Sequence, residues 1–222
     1  MEVLRGLFIT GTDTGVGKTV VSAALMHRYR PHGPLRYWKP IQTGIEQDDD
    51  TADVARLADC VADETFTEGV RLRGPVSPHL AAQQSGCTIA VRPLIDAHRR
   101  AALQASWIIE GAGGVLVPLN SRETMADLML QLGLPVVVVA RTTLGTINHT
   151  LLTVEALRRR SLEPAGVVMV GPTDIGARKT IETHGAVMVL GEMPLFDPLT
   201  SVAVKAWSHD LDRAGQLLKH LI

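Results

Sequence analysis

The sequence lacks the marks of several protein classes. It has two cysteines, Cys60 and Cys87, too far apart in the chain for a metal-ligand motif. Neither a zinc site nor a disulfide framework is expected, only two buried thiols in a reducing compartment. There is no excess of charge of either sign: 22 Lys and Arg face 23 Asp and Glu, a net charge of −1. The broad basic field of a non-specific nucleic-acid binder is therefore absent. No apolar run approaches a membrane span; the longest, Leu134 to Ala140, has the length of a strand. Residues 1–10 do not pair a basic start with a long apolar run, as a secretory signal would. No internal repeat and no Gly-, Ser- or Pro-rich linker divides the chain. The expectation is one cytoplasmic domain over residues 1–222, without nucleic-acid or membrane partners. With 45% apolar and 20% charged residues, the chain can bury a large core without disulfides.

What is present is an alternation of short β-branched runs with helical patterns. Strands are expected at Leu4–Ile9, Arg36–Lys39, Trp107–Glu110, Pro135–Ala140, Ala165–Val170 and Val187–Leu190. Helices are expected at Lys18–Tyr29, Ala52–Asp59, Val91–Ala105, Met125–Leu132, Ile147–Arg160, Ala177–His184 and Asp210–Ile222. Thr65–Gly86 reads as loop with one short helix. Ile147, Leu151, Val154 and Leu157 form an apolar stripe at helical spacing. Residues 136–139 and 167–170 are apolar at every position, as strands covered on both faces must be. The fold class is α/β: a doubly wound, mostly parallel sheet with helices on both faces, whose ligands bind beyond the carboxyl ends of its strands.

The first strand runs into Gly11-Thr-Asp-Thr-Gly-Val-Gly17-Lys18-Thr19 and then a helix. Such a loop turns backbone N–H groups inward around phosphate oxygens, at the positive end of a helix dipole. Lys18 would reach the β and γ phosphates, and Thr19 would ligate Mg²⁺. The loop is one residue longer than the strict phosphate-loop pattern. Glu110, ending an apolar strand before Gly111-Ala112-Gly113-Gly114, supplies the acidic group such folds use near the metal. Lys39, at the end of the second strand, should reach the same edge. Asp48-Asp49-Asp50 then offers either a solvated helix start or a second carboxylate for Mg²⁺.

With these residues in view, the chain resembles the ATP-dependent dethiobiotin synthetases. The resemblance covers most of its length. It rests on the lengthened loop GTDTGVGKT, WKPIQTG at 38–44, Ser77-Pro78-His79, EGAGG at 110–114, LGTINHTLLT at 144–153 and GEMP at 191–194. The order and spacing of these segments together make it specific, and the longer loop is itself a mark of that family.

The resemblance implies the P-loop fold and a defined reaction. One amine of 7,8-diaminopelargonic acid takes up CO₂ to form a carbamate. A carbamate oxygen attacks the γ-phosphate of ATP, and the second amine closes a five-membered urea ring, releasing phosphate. It implies Mg²⁺ as cofactor, ATP as the nucleoside triphosphate substrate, and a homodimer whose two subunits share each site. Lys39 and Lys18 would be catalytic. The nucleotide would lie against Gly15, Val16, Gly17, Lys18, Thr19, Val20, Asp50, Glu110, Gly111, Ala112, Gly113, Val170, Gly171, Pro194, Leu195 and Phe196. Thr19, Asp50 and Glu110 would place the metal, with Asp49 and Asp53 as alternatives to Asp50. Thr14 and Thr43 would hold the diamine or carbamate. Backbone amides of Leu144, Gly145, Thr146, Ile147 and Asn148 would take the substrate's carboxylate tail, although Asn148 and His149 could equally be helix caps.

Three positions depart from the family pattern. Gly15 stands where Glu is common, Thr143 where Lys is common, and Val170-Gly171 where an asparagine usually reads adenine. A site without base-reading groups discriminates weakly, so GTP and CTP are expected to serve beside ATP. Two other classes compete: a non-catalytic P-loop nucleotide sensor and a partitioning-type switch ATPase. The latter carries a lysine where this chain has Asp13.

Overall fold

A computed structural model describes residues 5–101 and 105–222. Residue 4 of the first expected strand and residues 102–104 of the third expected helix lie outside them. The sheet is built from β1 (Gly6–Gly11), β2 (Leu35–Trp38), β4 (Thr65–Phe66), β6 (Ser106–Gly114), β7 (Val136–Arg141), β8 (Pro164–Val170) and β9 (Val189–Met193). Their order is β4-β2-β6-β1-β7-β8-β9, and every pairing is parallel. A separate pair, β3 (Ile41–Gln42) with β5 (Val70–Arg71), sits beside it. The sheet's central strand is the first in the chain, and it feeds the glycine-rich loop directly. This puts the loop at the point where the connections to either side diverge.

Helices cover both faces, which divides the core in two. One face packs α1 (Lys18–Tyr29), α2 (Asp50–Leu57) and α8 (Ser201–Ser208) on Leu7, Ile9, Tyr37, Val137, Val139 and Val168. The other packs α3 (Pro78–Gln84), α4 (Val91–Ala101), α5 (Met125–Leu132), α6 (Thr146–Arg158) and α7 (Ile175–Gly185) on Phe8, Trp107, Ile109, Val136 and Val138. Residues 136–139 therefore contribute to both cores in alternation, and all four are fully buried. Among the described residues, no helix is long and apolar enough to cross a membrane.

The structure corrects several expectations. Asp210–Ile222 is not a helix. After α8 the chain turns at Asp212 (φ 47) and Gly215 (φ 68), and only Leu218–His220 form a 3₁₀ turn. The cause is local: the Asp212 carboxylate accepts from the backbone N–H groups of Gln216 and Leu217 and from the Tyr29 hydroxyl. It thus replaces helical hydrogen bonds with its own. Thr65–Gly86 contains the expected short helix, α3, but also β4 and β5. The strand of Glu110 continues to Gly114. The thiols are not both buried: Cys60 is half-buried and Cys87 exposed, both unpaired as disulfides.

Candidate active site

The phosphate loop owes its course to small residues. Gly17, the residue before α1, adopts φ 98, a left-handed conformation that favours glycine. A side chain there would also press on Val170 at 3.2 Å, so the end of β8 closes tightly over the loop. A Cβ on Gly11 would stand 2.7 Å from the carbonyl of Asp13. The Lys18 ammonium donates to that same carbonyl at 3.0 Å. Burial, and next the charge of Lys39, bring Lys18 down to about 8, which still leaves it a cation at neutral pH.

Three separated segments converge behind the loop. Glu110 projects from the middle of β6 and is fully buried. Its Oε1 accepts from the Lys39 ammonium at 2.7 Å and lies 3.2 Å from the Thr19 hydroxyl oxygen. Asp50, the first residue of α2, accepts from Thr19 at 2.7 Å and pairs with Lys39 at 2.7 Å. Lys39 is thus a buried ammonium between two carboxylates. Burial alone would lower it, but Glu110 and Asp50 outweigh that and hold it above its ordinary value. Burial would raise Asp50, and Lys39 reverses this, so its carboxyl lies below the usual range.

The neighbours of Asp50 point elsewhere. Asp49 caps α2 by accepting from the N–H groups of Thr51 and Ala52, and Asp53 pairs with Arg56 on the surface. The acidic run therefore contains one helix cap and one residue of the cluster. Gly111 also belongs to the cluster, since its carbonyl accepts from Lys39 at 3.0 Å. Gly113 lies near the Thr14 hydroxyl, 3.7 Å from where its Cβ would stand.

Other expected residues lie around this cluster. Val170, Gly171 and Pro194 border the loop at the ends of β8 and β9, where Leu195 is exposed and Phe196 packs on the core of the α1 side. Gly171, Pro172 and Pro194 open a groove of about 690 Å³ along β9. A second cavity, about 450 Å³, lies between Gly11–Thr14, the turn at 114–118 and the α6 residues His149, Leu152, Thr153 and Ala156. Leu144, Gly145 and Asn148 are exposed at the start of α6, while Thr146 is buried with its hydroxyl on the carbonyl of Arg141. Thr43 is not joined to the cluster: its carbonyl accepts from the Gln42 side chain.

Sequence reasoning passed over three groups. The hydroxyls of Ser22 and Tyr37 both donate to Glu110 Oε2 at 3.0 Å. Arg141, at the end of β7, pairs with Asp13 of the phosphate loop at 2.8 Å. Ser22 and Tyr37 did leave a trace: Ser22 lies three residues after Thr19 on a helix, and Tyr37 two before Lys39 in extended chain. Each therefore shares a face with a residue of the cluster.

Comparison with known proteins adds a further line. The AAA_26 family model, described as an AAA domain, matches residues 5–203. The ATP-dependent dethiobiotin synthetase BioD of Nitrobacter hamburgensis is 45% identical over 196 residues, covering 87% of this chain and 88% of that protein. The biotin biosynthesis bifunctional protein BioCD of Bordetella avium is 43% identical over 96% of this chain, which spans only 44% of its length. Among solved structures, the septum site-determining protein MinD of Pyrococcus horikoshii, complexed with Mg-ADP, superposes with a TM-score of 0.57 at 16% identity. That match covers 97% of this chain and 94% of MinD, and shows the fold alone.

Proposed function

The chain belongs to the dethiobiotin synthetase family, and from that premise we propose that it converts 7,8-diaminopelargonic acid, CO₂ and ATP to dethiobiotin in biotin synthesis. The observation that carries the reading is Lys39, a buried cation held beside the phosphate loop by Asp50 and Glu110. The reaction builds negative charge on a carbamate and on a phosphoryl group in transfer. Fixed cations at that place stabilise the transition state more than the ground state.

In this reading, one substrate amine attacks CO₂ and loses a proton, giving the carbamate. A carbamate oxygen then displaces ADP from the γ-phosphorus, forming a carbamic-phosphoric anhydride. The other amine attacks the carbonyl carbon, expels phosphate and closes the ring. Lys18 and the amides of residues 15–20 bind the phosphates, and Lys39 faces the transferring group. The 450 Å³ cavity flanked by Thr14 is where the diamine and its apolar chain would lie.

Thr19, Asp50 and Glu110 suit a small, hard cation. Their oxygens approach to 2.7 and 3.2 Å, near the ~2.9 Å edge of an octahedron with metal–oxygen bonds of about 2.0–2.1 Å. Among the described residues no cluster of three or more His, Cys, Asp or Glu is found. Phosphate oxygens and water would therefore complete the shell, as Mg²⁺ prefers. Bound there, Mg²⁺ would neutralise charge on the β and γ phosphates.

The carboxylate tail of the substrate would be taken by amides of residues 144–148 from the second subunit of a homodimer. The fully exposed Leu144, with the exposed Leu116 and Leu152 beside the cavity, is apolar surface that such a partner would cover.

Product mass tests the reaction. Incubation with the diamine, ¹³C-bicarbonate, Mg²⁺ and ATP should give dethiobiotin carrying one label. Folded, nucleotide-binding protein that forms none would overturn the reading.

Nucleotide choice should be broad. Val170, at the usual base-reading position, is apolar and packed against Gly17. Glu192 in the same groove is engaged: it pairs with Arg178 at 3.3 Å and accepts from the N–H of Asp174. With valine in place of the base-reading asparagine, kcat/KM for GTP and CTP should lie within about a hundredfold of that for ATP, or roughly 2.7 kcal/mol. A larger preference for ATP rejects this expectation.

A further inference from the structure

The two oxygens of Glu110 have separate tasks. Oε1 meets Thr19 and Lys39, while Oε2 is taken up by the hydroxyls of Ser22 and Tyr37, each at 3.0 Å. Both hydroxyl residues are fully buried. The last torsion of a glutamate is broad, so a carboxylate held by one oxygen can turn about it. Donors on the other oxygen, arriving from two different elements, remove that freedom. Ser22 comes from α1 and Tyr37 from β2, so the clamp also fixes β6 relative to both neighbours.

We propose that Ser22 and Tyr37 are positioning residues of the phosphoryl-transfer site: by clamping Oε2 of Glu110 they turn Oε1 toward Thr19 and Lys39. Neither hydroxyl is placed to touch the nucleotide or the diamine, so both act through Glu110. The spacing supports a shared design. Thr19 and Ser22 lie one helical turn apart, and Tyr37 and Lys39 lie one strand period apart. Each pair thus offers Glu110 one group for each oxygen. Neither Ser22 nor Tyr37 provides the charge that matters to the reaction. Their loss should misplace that charge, not remove it.

The inference rests on the synthetase reading for its assay but not for its geometry, and the two parts are tested separately. Tyr37→Phe and Ser22→Ala should each lower kcat about ten- to a hundredfold, the range for residues that orient a contact group. KM for the nucleotide and for the diamine should stay within about twofold. Ser22→Thr, which restores a hydroxyl, should recover most of the rate; a role in packing alone would not respond to it. Wild-type-like kcat in both single variants overturns the proposal while leaving the synthetase reading intact. If the wild-type protein makes no dethiobiotin, a crystal structure of the Ser22→Ala/Tyr37→Phe double variant decides. A Glu110 carboxylate rotated, or present in two orientations, supports the clamp. One unchanged in place overturns it.

Discussion

Replacing Lys39 with methionine should lower kcat by about a thousandfold while nucleotide binding persists. A factor of 10³ corresponds to about 4 kcal/mol of lost transition-state stabilisation, the upper range for removing one preorganised charge donor. The nucleotide should still bind, because the loop amides and Lys18 proposed to hold its phosphates lie on other segments. The variant should also lose stability. Lys39 is buried between Asp50 and Glu110 at 2.7 Å from each, and removing one partner of a buried pair costs about 3–5 kcal/mol. Adding Mg²⁺ should recover part of that loss, since a divalent cation would replace the missing ammonium against the two carboxylates. The measurements are phosphate release, nucleotide affinity by fluorescence, and melting temperature with and without Mg²⁺. A kcat within tenfold of wild type would remove Lys39 from the chemistry.

The same pair sets a pH expectation. Asp50 is held below its ordinary value, so its contribution is present above that value and lost only as pH falls through the lower, folded one. Lys39 is held above 10.5, so its contribution is complete below 10.5 and lost as pH rises beyond it. Between these limits the pair is fully charged and contributes a constant amount. Lys39→Met removes the cation that holds the Asp50 carboxyl down and leaves Glu110 and Asp50 buried without it. Their carboxyls should therefore rise, and the variant should lose most stability towards pH 9 and least towards pH 5.

How much of this was legible in the sequence depended on how local the cause was. The boundaries of α1 and α5 follow from their own periodicity and flanking glycines, and match the expected Lys18–Tyr29 and Met125–Leu132. The strands at 136–139 and 167–170 are plain because burial on both faces leaves no polar position. β3, β4 and β5 have two residues each, too few for any period to show. The tail was misread because leucines at 211, 217 and 221 mimic a helical stripe. Asp212 prevents that helix through a hydroxyl of Tyr29, 183 residues earlier. The gathering of residues 18, 39, 50 and 110 was expected from fold logic, since each lies at or near the carboxyl end of a strand or the start of a helix. Ser22, Tyr37 and Arg141 were missed because a lone hydroxyl or arginine in an ordinary element carries no chemistry until its partner is known.

Acid should weaken the fold through a group outside the active site, His98. This histidine is almost fully buried on α4. It stacks on Trp38 at 5.3 Å between ring centroids and meets Trp107 edge-on at 4.6 Å. Its Nε2 has no hydrogen-bond partner among the described residues. The Arg36 guanidinium lies 5.4 Å over the Trp107 ring, and the helix places Asp96 before His98 and Arg99 and Arg100 after it. Burial lowers His98 from 6.5 to about 4. The unfolded chain takes up the proton near pH 6.5, whereas the folded chain resists it until about pH 4. Stability is therefore complete above 6.5 and declines as pH falls between those values, by about 3 kcal/mol in all. Burial lowers His27 and His220 in the same direction, so the informative quantity is a difference between proteins. Urea unfolding at pH 7.5 and pH 4.5 should show His98→Leu losing about 2–3 kcal/mol less than wild type across that interval, whatever its stability at pH 7.5. Parallel losses in the two proteins would mean that His98 is charged in the folded state and that its aromatic neighbours accommodate the ion. The site would register the first outcome directly, because Trp38, the stacking partner, is bonded to Lys39. Acid that ionises His98 should then disturb the strand that leads into Lys39.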